Sequence, residues 1–314
     1  MKPELANITL ETLESLRIAL PTDEDRKALA TYSGSPDKLA PSDRFIYEMA
    51  KLPRCMNKLD CLTLKMTLDT RIDDIRRRMS LISEACKQLR ESKKFHTLLE
   101  CILMLGNTLN VQNEEANRMT MTHAVQLDSL SSLSNTKGFD KKTSLLIFLE
   151  KLLALKYPEV FDLQEELSDL PLASRESFVD IQQDEESLNK QLNSLTGELQ
   201  SIEKESKEAK DEEKKELEES AQQLSDFASA AQGKIVAIRN EVEKVKEIYA
   251  DFLQYFCQDR ELKSDEFFSG LCAFLDELRV IHTRMQEQRE RMQRKKEKEI
   301  TEKVQKHESQ NSSS

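Results

Sequence analysis

The sequence contains few of the residues that break helices. Its 314 residues include only 6 glycines, 7 prolines and no tryptophan, whereas 33% of them are charged. Helix interiors tolerate glycine and proline least, so their scarcity indicates long helices rather than a sheet. We therefore expect an all-α protein, with elongated helices that expose much charged surface.

Motifs of catalysis and ligand binding are missing as well. The sequence has no GxxxxGKS/T phosphate loop and no GxGxxG turn, and its 4 histidines are scattered. His123 has no second histidine or cysteine at the spacing that a zinc site requires. We therefore expect no enzyme activity, no bound metal and no cofactor.

The remaining absences bear on partners and location. No CxxC pair occurs among the 6 cysteines, which indicates reduced thiols in the cytoplasm. The net charge of −11 argues against a nucleic-acid-binding surface. Residues 145–155 form the most apolar run, but Glu150 and Lys151 interrupt it. Because this run is also too short to cross a bilayer, we expect no membrane span.

Two stretches have the spacing of coiled-coil seams, in which apolar residues alternate by three and four positions. Their members are Leu188, Leu192, Leu195, Leu199 and Ile202, and then Ile235, Ile238, Val242, Val245, Tyr249, Phe252 and Phe256. Between them, residues 203–219 are dense in glutamate and lysine. We predict an antiparallel hairpin over about residues 171–256 that serves as a spacer.

The most apolar long helix is predicted for residues 93–110. Leucine and isoleucine recur along one face, and Gly106 and Asn107 stand inside that pattern. A glycine costs about 1 kcal/mol in a helix interior relative to alanine, so it persists where something packs closely on the backbone. A tight crossing with another helix and a functional contact are both compatible with this spacing.

The pattern KxFxxLLExILxLGNxxN at residues 93–110 resembles the signature of the formin homology 2 domain, which reads GNxMN in that family. Other landmarks follow in the family's order: LPTDE at 20–24, YSG at 32–34, LPR at 52–54, LDSL at 127–130, NTK at 135–137, KTSLL at 142–146 and YP at 157–158. Each motif alone is weak, but the ordered set is specific and covers roughly residues 8–290.

The resemblance implies an elongated helical bundle with knob, coiled-coil and post subdomains. We expect a partial formin homology 2 domain over residues 4–290. Its knob and post would occupy about residues 4–170 with 257–290, and its coiled-coil hairpin about residues 171–256. Residues 291–314 would form a charged helical extension and a disordered tail.

The resemblance also implies a function in actin assembly. Formin homology 2 domains are non-catalytic modules that act as ring-shaped dimers at the barbed end of actin filaments, in nucleation and elongation. In that family a lysine of the NTK turn contacts actin. The corresponding residue here is Lys137, and Lys141 and Lys142 add positive charge beside it. The implied location is the actin cytoskeleton of the cytoplasm.

Arg76 and Arg77 belong to the sharpest basic cluster in the first third of the chain. They are further candidates for a contact with an acidic partner surface such as actin. The alternative is an ordinary solvated helix face, because Asp73 and Asp74 stand next to them.

The family docks the N-terminal lasso of a partner subunit on the face that carries the glycine–asparagine motif. The motif residues here are Gly106, Asn107, Leu109 and Asn110. The RGxAxGF segment that follows in formins has no counterpart between Gly106 and Gly138, and no tryptophan precedes LPTDE. We therefore expect a domain that lacks the lasso and linker and is impaired in dimerisation. A homodimer becomes possible if a lasso is present upstream.

A coiled-coil scaffold derived from a formin that no longer assembles actin is the alternative function. It explains the hairpin of residues 171–256 equally well. It does not explain the ordered landmarks across residues 20–158.

Overall fold

The computed structural model describes residues 8–30, 32, 34–51, 54–111, 124–137, 143–208 and 211–311. These residues are predominantly helical and form no strand. An isolated antiparallel bridge between Lys137 and Ser144 is the β-type pairing found among them. The prediction of an all-α fold is confirmed.

The helices are, in chain order, α1 (Leu10–Ile18), α2 (Asp23–Ala30), α3 (Pro41–Lys51), α4 (Cys55–Glu91), α5 (Lys93–Val111), α6 (Leu127–Asn135), α7 (Leu145–Lys156), α8 (Leu163–Glu166), α9 (Leu170–Ala173), α10 (Phe178–Glu208), α11 (Asp211–Tyr255) and α12 (Ser264–Asn311). Short 3-10 turns span Pro36–Lys38 and Pro158–Asp162. Helix α12 therefore reaches into the segment for which the sequence predicts disorder.

The chain divides into two compact units. Unit 1 comprises Met1–Arg77 and Val179–Lys244, and unit 2 comprises Arg78–Phe178 and Val245–Ser314. Helices α4 and α11 each supply residues to both units.

Near the start of unit 1, the side chain of Thr22 caps the N-terminus of helix α2. The Thr22 hydroxyl accepts a hydrogen bond from the Asp25 amide at 3.1 Å, and the Asp25 carboxylate accepts one from the Thr22 amide at 2.9 Å. The hydrogen bond from the Thr22 hydroxyl is the main reason why the pKa of Asp25 is lowered. Through this reciprocal pair Thr22 caps α2, because its hydroxyl satisfies an amide that the first helical turn leaves free.

The hairpin helices α10 and α11 carry the predicted buried seam, and α4 packs along both of them within unit 1. The side chains Leu188, Leu195, Ile235 and Ile238 are almost fully buried. Arg71 on α4 donates to Gln191 on α10 at 2.7 Å. Arg76 on α4 donates to Glu241 on α11, as described below. The seam is therefore covered by a third helix, which its spacing alone did not predict.

An aromatic cluster fills the core of unit 2. The rings of Phe252 and Phe267 meet edge to face, with their centroids 5.1 Å apart. The ring centroid of Phe256 lies 4.9 Å from that of Phe252, and Phe268 packs edge to face against Phe267. Such pairs add stability beyond the area that they bury. Ser264 is the first residue of α12. Its buried hydroxyl donates to the Glu176 carbonyl at 3.2 Å.

Candidate functional site

Lys137 lies on a turn that is tied at both ends. Helix α6 ends at Asn135, and the amide of Leu145 donates to the carbonyl of Thr136 at 2.9 Å. Ser144 forms the bridge with Lys137, and its hydroxyl caps α7 by accepting from the Ile147 amide at 3.4 Å. Lys137 itself is exposed. The turn thus presents a lysine to solvent from a well-anchored backbone.

Buried leucines on both flanking helices hold this turn on the core of unit 2. They are Leu130 and Leu133 on α6 and Leu146, Leu149 and Leu153 on α7. Lys141 and Lys142 fall outside the described residues, so the position of Lys137 alone is described among the lysines of this turn.

Arg76 and Arg77 lie on α4 in unit 1, and both are engaged with carboxylates. Arg76 donates from Nε and Nη2 to the two oxygens of Glu241 at 2.9 and 3.0 Å. This contact raises the pKa of Arg76 and lowers the pKa of Glu241. Arg77 donates to Asp74 at 2.9 Å. Both arginines remain exposed at the helix surface, so a partner would have to compete with these acids.

Gly106 and Asn107 lie inside an uninterrupted helix, since α5 continues to Val111. Leu109 and Asn110 belong to its last turn. Gly106 is exposed, and a Cβ atom added there would meet nothing within 4 Å. Among the described residues, therefore, no helix crosses closely over Gly106. The explanation by a tight crossing loses its support, and Gly106 itself is open among the described residues.

A cavity of about 260 Å³ lies beside α5 in unit 2. Leu99 and Leu103 form part of its lining and share a helix face with Gly106, because the three residues are spaced at i, i+4 and i+7. Tyr255 and Phe256, at the end of α11, form another part of the lining. The result is an apolar hollow beside α5.

Polar groups of this hollow include one without a partner. The Nε2 atom of His96 is buried and forms no hydrogen bond among the described residues. Val125 lines the hollow, and its carbonyl accepts from the Gln258 side chain at 3.0 Å, which ties the segment before α6 to the end of α11. Cys257 also lines the hollow and has a positive φ of 54°.

Sequence reasoning found the motif on α5 but missed the other side of the hollow. Tyr255, Cys257 and Val125 were not singled out, because they come from segments far from α5 in the sequence. The available signal was Phe256, the last member of the second predicted seam.

The described residues also bear on metal binding and on membrane insertion. No group of three or more histidine, cysteine, aspartate or glutamate side chains could hold a metal ion there. Within the same residues, no helix combines the length and apolar character needed to cross a membrane.

The described residues thus form an all-α fold with an exposed Lys137 and an apolar hollow beside α5. The family model of the Formin Homology 2 Domain matches residues 1–279, and the chain belongs to this family.

Curated relatives are similar over more than half of the chain. Formin-like protein 13 of Arabidopsis thaliana is 32% identical over 192 residues, which is 61% of this chain and 15% of the relative. Formin-like protein 3 of Oryza sativa subsp. japonica is 30% identical over 185 residues, which is 59% of this chain and 15% of the relative. Protein diaphanous homolog 3 of Homo sapiens is 28% identical over 183 residues, which is 58% of this chain and 15% of the relative. The match thus spans about one seventh of each relative's length.

Proposed function

We propose that the chain is a formin-type actin-assembly module that acts at the barbed ends of filaments in nucleation and elongation, without making or breaking a covalent bond. The family match over residues 1–279 carries this proposal. The module works in the cytoplasm, on the actin cytoskeleton. A scaffold that ignores actin is the alternative that the experiment below would favour.

Lys137 is the proposed actin contact on unit 2. Actin is acidic and the chain carries a net charge of −11, so long-range attraction cannot bring the two together. A local cation on a fixed turn can still form a short-range ion pair, because the gain depends on close approach rather than on total charge. The proposal includes Lys141 and Lys142, which follow Lys137 in the sequence.

Arg76 and Arg77 are secondary candidates for the actin contact. Each would have to exchange a carboxylate of its own chain for one of the partner. Exposed ion pairs of this kind are worth about 0–1 kcal/mol, so the exchange is energetically feasible. The expected contribution of these arginines is correspondingly smaller than that of Lys137.

The apolar hollow on α5 is the proposed docking site for a segment of a second formin subunit. The open surface at Gly106 supports this role, because a side chain of the partner can approach the bare backbone there. An apolar hollow of this size accommodates a large side chain. The proposal also includes Asn107, Leu109 and Asn110, the remaining residues of the glycine–asparagine motif.

Seeded barbed-end elongation of pyrene-labelled actin tests the proposed function. We expect the chain to alter the elongation rate and the Lys137→Asp variant to lose most of this effect. Lys151→Asp is the matched control, because Lys151 is an exposed lysine of α7 that follows the same turn. An unchanged elongation rate with the wild-type chain at tens of micromolar would contradict the proposal. Equal losses in both variants would remove the specific role of Lys137.

A further inference from the structure

Helix α7 carries a fully buried carboxyl group. Glu150 is 0% exposed and lies between the buried Leu149 and Leu153. A carboxylate in such a position is strongly unfavourable unless cationic or hydrogen-bonding groups reach it. Its partners therefore decide whether α7 can pack in this position.

Both partners of Glu150 come from α12. The Nδ1 atom of His282 lies 3.0 Å from Oε1 of Glu150. Arg289 donates from Nη2 to both carboxylate oxygens, at 3.0 and 2.9 Å. These two residues are two helical turns apart, so they project from the same face of α12. Phe161 stacks on the His282 ring at 3.4 Å and holds the imidazole in place.

Both residues lie beyond the family match, which ends at residue 279. A buried group inside the matched region is thus satisfied by side chains outside it. The segment after residue 279 consequently contacts the core of unit 2 through His282 and Arg289.

The same contacts lead to the Lys137 turn. Glu150 lies in the second turn of α7, whose first residue, Leu145, hydrogen-bonds Thr136 and whose cap, Ser144, bridges Lys137. A shift of α7 would therefore move the backbone that presents Lys137.

We propose that His282 and Arg289 are positioning residues that fix α7, and through α7 the Lys137 turn, by pairing with the buried Glu150. The functional module accordingly extends past residue 279 to at least Arg289. The role assigned to Lys137 rests on the proposed function, whereas the effect on α7 does not depend on actin.

Hydrogen exchange of the full chain without actin provides the first test. We expect Arg289→Gln to accelerate exchange in α7 and at residues 136–137 on the order of 10-fold, because the buried carboxylate loses its cation and local opening becomes easier. Arg291→Gln is the matched control, because this arginine is exposed and its ion pair with Glu287 is long, at 3.7 Å. Helix α10 of unit 1 is the internal reference.

The double variant Glu150→Gln with Arg289→Gln tests for rescue. Two neutral amides can hydrogen-bond each other, so exchange in α7 should return to within about 3-fold of the wild type. The proposal would be overturned if Arg289→Gln left the exchange rate of α7 unchanged or raised the exchange rate of α10 equally. It would also be overturned if the effects of the two substitutions on exchange in α7 simply added in the double variant. If Arg289→Gln alone does not fold, the double variant decides: recovered native protection supports the proposal and its absence overturns it.

Actin elongation with the same variants separates this proposal from the proposed function. We expect Arg289→Gln to require a several-fold higher concentration than Arg291→Gln for a half-maximal effect. If the wild type leaves actin unchanged while exchange responds as expected, the proposed function fails and the positioning of α7 stands. If exchange responds but elongation with Arg289→Gln equals that of the wild type, the link to Lys137 is overturned.

Discussion

The Nε atom of Arg54 donates to both oxygens of the buried Glu198 carboxylate, at 3.1 and 2.9 Å. The remaining guanidinium nitrogens donate to Glu205 at 2.5 and 2.9 Å. The backbone of Arg54 has a φ of 53°, a conformation that costs free energy for any residue with a Cβ atom. Such a conformation persists where surrounding contacts enforce it. Arg54, directly before α4, therefore fixes the start of this helix on helix α10.

Replacing Arg54 tests how much this contact stabilises unit 1. The Glu198 side chain is 1% exposed, so Arg54→Gln leaves a buried carboxylate without its cation. We expect the free energy of unfolding to fall by about 3–5 kcal/mol, as for other broken buried ion pairs. Urea denaturation followed by circular dichroism measures the change.

The control for Arg54 is Lys234→Gln in the same unit. Lys234 pairs with Asp69, but both side chains are at least half exposed. Solvent screens such a pair, so its loss should change the free energy of unfolding by less than about 1 kcal/mol. Similar losses in both variants would show that Glu198 does not depend on Arg54.

The thiols make a second prediction, on chemical reactivity. Burial raises the pKa of Cys86 to about 12, so at pH 8 only about one in ten thousand of these thiols is ionised. Cys257 is exposed. Because the thiolate is the nucleophile, we expect a thiol reagent to modify Cys257 quickly and Cys86 only after unfolding.

Reaction kinetics with a chromogenic disulfide reagent check this order. Cys257→Ser should remove the fast phase, and urea should release the slow one. Where Cys86 does react in the folded chain, its rate should rise about tenfold for each pH unit below its pKa. A rapid phase that survives in Cys257→Ser and depends on Cys86 would contradict the burial of this thiol.

Apolar periodicity predicted the helices well, whereas it could not predict the ionic contacts between them. The spacing of Leu188 and Ile235 follows from helix geometry, so the hairpin seam is readable from local sequence. Arg54 and Glu198, by contrast, are 144 positions apart, and Glu150 and Arg289 are 139 apart. Charged residues of these types are usually solvated, and only the tertiary fold brings the partners together.

The candidate site was likewise only partly predictable from the sequence. The glycine–asparagine motif was visible because it interrupts an apolar helix pattern, and Lys137 was visible through the family landmarks. The wall formed by Tyr255 and Cys257 was not visible, because nothing in the local pattern of α11 indicates that its end faces α5. Sequence therefore locates single surfaces, and tertiary contacts are needed to assemble a site.

Gly106 makes the last prediction. Its helix position is ordinary, and an added Cβ atom meets no described atom within 4 Å. Gly106→Ala should therefore raise the free energy of unfolding by about 0.5–1 kcal/mol, because alanine loses less backbone entropy in a helix. Gly197→Ala on α10 is the matched control, since Gly197 is equally open and helical.

Equal gains in both variants, measured by urea denaturation, would mean that nothing in the isolated chain requires a glycine at position 106. The surface at position 106 would then be open in solution, as the proposed docking surface on α5 requires. A loss of stability in Gly106→Ala together with a gain in Gly197→Ala would mean the opposite. Another element would then close over Gly106 in solution, and the hollow beside α5 could not be the docking site.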